Sequence, residues 1–278
     1  MVWWPTTRLP HYFYLALLKE FSMDLSLLGF LALGIFTGII GALLGLGGGV
    51  IIVPFLVFVA HFEPQIAIGT SMLVVLLNAF SGAIGYVRKK IACVDAAVKF
   101  SLATIPGAFM GSYIANYMQG KVFYGVFGLF FLGLAFNMFR KAGKSGEENG
   151  VTVVPENYNW KLGVISSIFV GFIASILGIG GGVIHVPFMI YVLHFPVKVA
   201  IATSTCILAI SAIAGAVSHA YLGHVAWLVG LAIGLGAAVG AQIGVRVAAG
   251  MKSALLMKGT GVLVAITAIK FLTTALGL

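Results

Sequence analysis

The chain states one pattern twice. Gly45-Leu46-Gly47-Gly48-Gly49-Val50-Ile51-Ile52-Val53-Pro54-Phe55 returns as Gly178-Ile179-Gly180-Gly181-Gly182-Val183-Ile184-His185-Val186-Pro187-Phe188. The offset, Gly45 to Gly178, is 133 residues, and it also carries Thr70-Ser71 onto Thr203-Ser204 and Gly82 onto Gly215. Gly107, Gly111 and Ala115 fall on Gly240, Gly244 and Ala248 without a gap. Two copies of one unit, each broken by glycines inside apolar sequence, match the way membrane transporters are often built.

Composition makes the surrounding solvent lipid. Hydrophobic residues are 61% of the chain and charged residues 8%, against about 25% charged in soluble domains. Mean hydropathy is +1.12. The 278 residues suit several spans of about 20 residues and leave no room for a soluble domain. The net charge of +9 is clustered at Arg88-Lys89-Lys90 and at Arg140, Lys141 and Lys144. Such clusters mark cytoplasmic loops and not nucleic-acid contacts. Cys93 and Cys206 are the only cysteines; they do not match in the repeat, make no disulfide framework and read as buried thiols.

Ten apolar segments follow, five per copy: 25–46, 49–60, 66–87, 94–117 and 122–139, then 160–179, 182–194, 199–220, 225–248 and 253–276. Residues 1–24 mix Trp3, Trp4, Tyr12, Phe13 and Tyr14 with Arg8, His11 and Lys19, which predicts an interfacial lead-in and not a cleavable signal peptide. The first transmembrane repeat spans 25–139 and the second 161–278. Residues 140–160, with Ser145, Gly146, Glu147, Glu148 and Pro155, are a polar, cytoplasmic linker. Arg88 to Lys90 align with the uncharged Tyr221 to Gly223, whereas Lys198 and Arg246 align with Gln65 and Tyr113. Opposite charge bias at equivalent loops predicts halves inserted upside down to one another. The fold expected is an all-α polytopic membrane protein of two five-segment inverted-topology repeats, preferred with ten crossings over eight crossings with parallel halves.

The triple glycines are expensive at membrane depth. Each costs about 1 kcal/mol in a helix relative to alanine, and the backbone groups it frees need partners or a polar cavity. Gly47, Gly48, Gly49 and Gly180, Gly181, Gly182 therefore predict discontinuous helices. Their downstream halves begin near Val50 and Val183, with N–H groups facing the midplane and attracting anions. Pro54 and Pro187 are read as first-turn prolines. Gly34/Gly38, Gly41/Gly45, Gly107/Gly111 and Gly236/Gly240/Gly244 carry the spacing of close helix packing.

Polar side chains near the breaks complete the candidate site. Thr70, Ser71, Thr203 and Ser204 either cap the third segment of each half or donate to an oxyanion. Asn78 and its equivalent Ser211 lie two turns on and either line the same cavity or bond another helix. His185 replaces Ile52 of the first copy. It donates to an anion, carries a coupled proton or bonds a backbone carbonyl. His219 and His224 lie near a loop and are weaker candidates. Asp95 and Lys99, four apart, are spaced to pair, while Lys99 and Lys258 also have the reach to snorkel. No HExxH, Walker A, zinc spacing or nucleophile elbow occurs. Gly45 to Gly49 lacks the context of a dinucleotide fingerprint. Neither enzyme chemistry, a metal nor a cofactor is expected.

Two G-x-G-G-G-x-x-x-V-P motifs, each followed about 16 residues later by Thr-Ser, resemble the sulfite exporter TauE/SafE-like family of membrane permeases. The resemblance covers about 25 to 276. His219-x-x-x-Gly223-x-Val225 is similar to the family's loop after the third segment, from which the first half departs with Arg88-Lys89-Lys90. The resemblance implies secondary transport of small anions across the bacterial inner membrane, often sulfur oxyanions such as sulfite or sulfonates. It carries over Gly47, Gly48, Gly49, Pro54, Thr70 and Ser71, with Gly180, Gly181, Gly182, Pro187, Thr203 and Ser204. A passive anion channel and a non-transporting membrane scaffold are the alternatives. The partners expected are the lipid bilayer and a small anionic substrate, with no nucleic acid; the oligomeric state is left open.

Overall fold

Where no water is present, a chain must satisfy its backbone within each segment, and helices do so. The computed structural model describes residues 11–115, 117, 120–142, 155 and 157–276. Among the described residues it is all-helical: α1 (His11–Leu44), α2 (Gly49–Phe58), α3 (Pro64–Arg88), α4 (Val94–Ala115), α5 (Gly120–Ala142), α6 (Trp160–Leu177), α7 (Gly182–Tyr191), α8 (Val197–Tyr221), α9 (Trp227–Gly250) and α10 (Ser253–Leu276). The ten apolar segments are these ten helices.

α1 differs at its start. It runs from His11 without a boundary near residue 24; residues 1–10 of the expected lead-in, and residues 143–154 and 156 of the linker, lie outside the described residues. Among the described residues five helices are long and apolar enough to cross a membrane, at 27–44, 64–88, 160–177, 197–221 and 227–248.

The exterior is apolar and the interior holds the hydroxyls. Leu102, Phe109, Phe169, Leu235 and Ile266 are exposed, while Thr37, Thr70, Ser71, Asn78, Thr203, Ser204 and His219 are fully buried. That inversion suits lipid, because a soluble protein does not expose so extensive an apolar surface.

Helix pairing repeats when the halves are exchanged. α1 packs on α9 as α6 packs on α4, and α3 on α9 as α8 on α4; α3 meets α8, and α5 meets α10. The α5–α10 contact is aromatic, with Phe127 and Phe271 centroids 4.9 Å apart. Glycines let α1–α9 and α4–α6 approach to backbone contact and make room for side chains where α3 meets α9 and α8. Gly34 faces Ile233, Gly38 faces Ala237 and Gly240 faces Ile35, so α1 and α9 run parallel. Gly107 faces Ile168 and Gly111 faces Phe172, so α4 and α6 run parallel. Gly230 lies by Leu73, Gly234 by Leu77 and Gly85 by Val245, so α3 and α9 are parallel too. Gly82 lies by Thr205 and Gly215 by Met72, so α3 and α8 are antiparallel. Gly34/Gly38, Gly107/Gly111 and Gly236/Gly240/Gly244 serve helix packing as their spacing predicts, whereas Gly41 faces Gly48 of its own loop and Gly45, at φ 73°, belongs to the break.

Two further expectations hold. Asp95 and Lys99 pair at 2.8 Å, and both cysteines are free and buried. The Tyr158 hydroxyl also donates to Asp95, at 2.6 Å. Burial and that carboxylate push the Tyr158 phenol above its usual range.

Candidate functional site

Each break is built the same way. α1 ends at Leu44, and Leu46 and Gly47 N–H both return to the Gly41 carbonyl, at 2.8 and 3.2 Å. Gly48 then starts α2 at φ 86°, ψ −13°, and Gly181 starts α7 at φ 84°, ψ −10°. This left-handed backbone is strained for any residue with a Cβ. The Gly48 carbonyl accepts from Ile51 and Ile52, and the Gly181 carbonyl from Ile184 and His185. The N–H groups of Gly49, Val50, Gly182 and Val183 have no acceptor one turn back inside their helices.

The two motifs lie against each other. A Cβ on Gly49 would stand 2.7 Å from Ile179 Cα, and one on Gly182 would stand 2.9 Å from Leu46 Cα. Ser71 Oγ donates to the Gly178 carbonyl at 2.8 Å, and Ser204 Oγ donates to the Gly45 carbonyl at 2.9 Å. Each serine thus ties down the glycine loop of the other half. Thr70 Oγ1 accepts from Ala226 N–H at 3.0 Å, and Thr203 Oγ1 from Cys93 N–H at 2.9 Å.

These bonds change the reading of the Thr-Ser pairs. α3 begins at Pro64 and α8 at Val197, so the four hydroxyls sit beyond the first turn and cap neither helix. They hold the two halves and the α3–α4 and α8–α9 loops in register. Pro54 and Pro187 also move: each is the sixth residue of its helix, past the first turn. There the ring removes the bond to the fourth residue back, leaving the Val50 and Val183 carbonyls without their helical donors.

The remaining site residues divide between the two breaks. Val75 and Leu208 side chains lie against both Gly47 and Gly180 and stand between them. On the first-half side, Gly48 faces the Thr37 carbonyl, and Asn78 Nδ2 would be 3.8 Å from a Gly48 Cβ. Asn78 is 0% exposed, and neither polar atom of its amide has a partner. An unpaired buried amide costs roughly 1–3 kcal/mol, and this one stands beside a helix N-terminus.

On the second-half side, His185, Ser175, Ser211 and Gly181 line a cavity of about 10 Å³, room for one water. Ser167 Oγ donates to the Gly163 carbonyl at 2.7 Å and lies 3.1 Å from His185 Nε2. With its proton committed, Ser167 accepts from His185 Nε2–H, which leaves Nδ1 bare. His185 Nδ1 and Ser175 Oγ are buried without hydrogen-bond partners. Ser211, matched to Asn78 in the repeat, lines this cavity, and Asn78 does not.

Ser167 and Ser175 were not picked out from the sequence. The signal is the repeat, in which their counterparts are Gly34 and Ala42. His219 is also more central than its place near a loop suggests. It is fully buried, and its Nε2 contacts the Ser175 carbonyl at 3.1 Å. Among the described residues no cluster of three or more His, Cys, Asp or Glu could hold a metal.

Two broken helices, an apolar exterior and buried polar side chains at the breaks define a polytopic helical membrane transporter. The model of the sulfite exporter TauE/SafE family matches residues 30–271, and the chain belongs to that family. It is 33% identical over 220 residues to a protein named probable membrane transporter protein YunE from Bacillus subtilis (strain 168), covering 72% of this chain and 81% of the relative. A protein of Methanocaldococcus jannaschii, also named a probable membrane transporter protein, is 26% identical over 208 residues, 72% of this chain and 74% of its own. One from Xylella fastidiosa (strain Temecula1) is 33% identical over 172 residues, 60% of this chain and 65% of its own. No solved structure matches.

Proposed function

We propose that the protein is a secondary transporter of small anions, with sulfur oxyanions and organosulfonates such as sulfite as its substrate class. It works by alternating access in the bacterial inner membrane and has no enzymatic activity. The observation that carries this reading is the Asn78 amide, fully buried and unpaired beside the start of α2. An oxyanion there accepts from Asn78 Nδ2 and from the Gly49 and Val50 N–H groups, and the helix dipole favours its charge. Gly182 and Val183 offer the matching N–H groups in the second half, with His185 one turn on. Val75 and Leu208 stand between Gly47 and Gly180, so in this conformation the anion path is closed between the two breaks.

Helix directions support the inverted-repeat reading. α3 and its counterpart α8 run oppositely, and α4 parallels α6 while α9 parallels α1 and α3. Parallel halves, the eight-crossing alternative, require α3 and α8 to point the same way. Inversion lets one arrangement of the halves open to each side in turn. Coupling to protons uses His185, the ionisable side chain lining the cavity at the second break.

Ligand-linked stability tests the site. Anything that binds the folded form alone stabilises it. Sulfite is expected to raise the unfolding midpoint of the purified wild type and not that of Asn78→Leu. Equal stabilisation of both proteins would remove Asn78 from the site.

A further inference from the structure

His185, His219 and His224 stand where the first half has Ile52, Tyr86 and Ile91, and their protons are fixed by their neighbours. The Ser175 carbonyl can only accept, so His219 Nε2 carries a proton and donates to it at 3.1 Å. Neutral His219 is then bare at Nδ1, and His224 Nδ1–H donates to it at 3.2 Å. His224 lies in the α8–α9 loop, between the exposed Gly223 and the half-buried Val225. At the inner end, the Ser175 hydroxyl lines the same one-water cavity as the bare Nδ1 of His185.

The first half closes the equivalent route. Tyr86 donates to the Ala42 carbonyl at 2.8 Å, copying the bond of His219 to Ser175. Ala42 has no hydroxyl to continue the path, and Ile52 is no base at its end.

We propose that His224, His219 and Ser175 form a proton port from the α8–α9 loop to His185, built into the second half alone. A proton taken up by the His224 ring sends the Nδ1 proton onto His219 Nδ1. The doubly protonated His219 gives its Nε2 proton to the Ser175 hydroxyl oxygen as the ring leaves the carbonyl. Ser175 passes its own proton through one water to His185 Nδ1. Only N–H and O–H bonds change, and one positive charge ends on His185.

The cavity is otherwise uncharged. Its lining from α3, α4, α6 and α8 holds no titratable or charged side chain, and the Gly181 carbonyl is the backbone acceptor beside the ring. Around His219 the polar neighbours are His224, Ser175 and, one residue along, the Ser112–Ser218 hydroxyl pair. A protonated His185 therefore has no carboxylate to balance it, and burying an unpaired charge is costly. An anion at the Gly182–Val183 N–H groups supplies the counter-charge, so proton and anion load together. This last step rests on the transport reading; the port does not.

Infrared spectroscopy after a pH jump tests the port on the full chain in liposomes, with sulfite present as the probe anion. The imidazole-to-imidazolium signal missing from His185→Ile reports His185. Acidification is expected to produce that signal rapidly in the wild type. In His219→Tyr and in His224→Ile, each taking the first-half residue, the rapid phase is lost. A signal of wild-type rate in both variants, or no signal in the wild type, overturns the port. A rapid signal lost in the variants, in protein that takes up no sulfite, sustains the port and refutes sulfite as the substrate.

Discussion

Replacing Gly49 with alanine probes the contact between the two motifs. The new Cβ would lie 2.7 Å from Ile179 Cα and 2.8 Å from the Gly178 carbonyl oxygen. Ordinary carbon contacts are roughly 3.5–4.0 Å, so the loops must part by close to an ångström. Both atoms are backbone, and the Gly178 carbonyl is held by Ser71, so no rotamer change absorbs the strain. Overpacking of this kind costs about 1–3 kcal/mol, and alanine's better helix propensity returns at most about 1 kcal/mol. Net destabilisation of roughly 1–2 kcal/mol is expected. Gly133→Ala in α5 is the control, since that glycine is exposed with nothing within 4 Å of the added methyl. It is expected to stabilise by about 0.5–1 kcal/mol. Unfolding of the purified variants by SDS titration measures both. A Gly49→Ala protein as stable as the wild type, or stabilised like Gly133→Ala, would refute the tight crossing of the motifs.

Other consequences are independent of that one. Asn78→Leu removes an unpaired buried amide, so it is expected to stabilise the protein by about 1–3 kcal/mol while abolishing anion flux; SDS unfolding and liposome uptake read the two effects. Ser71→Ala and Ser204→Ala each lose one bond between the halves, worth roughly 0.6–1.7 kcal/mol in a membrane protein, and are expected to fall within that range in the same titration. Burial holds the His224 imidazole below the usual histidine range, so the folded form favours neutral His224. Its contribution is complete above the unfolded pKa of about 6.5 and is lost as pH falls below it. Unfolding midpoints across pH 7.5 to 5, roughly spanning that value, should drop less in His224→Ile than in the wild type.

The fold was legible because lipid leaves few options. Segment ends read from apolar runs fall within about two residues of α3 and α6, helped by Pro64 and by the Asn159 cap, whose side chain accepts from Leu162 N–H. The doubled glycine motif located both breaks, since no other backbone fits φ near 85° so easily. Where the first span begins within α1 is not marked by a helix boundary, because aromatic and charged residues at 11–24 suit an interfacial helix and the first turns of a span equally. The site was legible only as a neighbourhood. Spacing could not show that the Ser71 and Ser204 hydroxyls are committed to carbonyls in the opposite half. Nor could it show that Ser211 lines the His185 cavity while Asn78, its match in the repeat, does not, because that depends on how Val75 and Leu208 fill the space between the motifs.

The most direct test of the account is uptake of labelled sulfite into proteoliposomes by the wild type and by Asn78→Leu, with sulfonates and sulfate as competitors and with and without an imposed pH gradient. The account predicts saturable, gradient-driven uptake by the wild type, competition by sulfonates, and no uptake by a stably folded Asn78→Leu. Uptake by Asn78→Leu equal to the wild type would contradict the anion site at the start of α2.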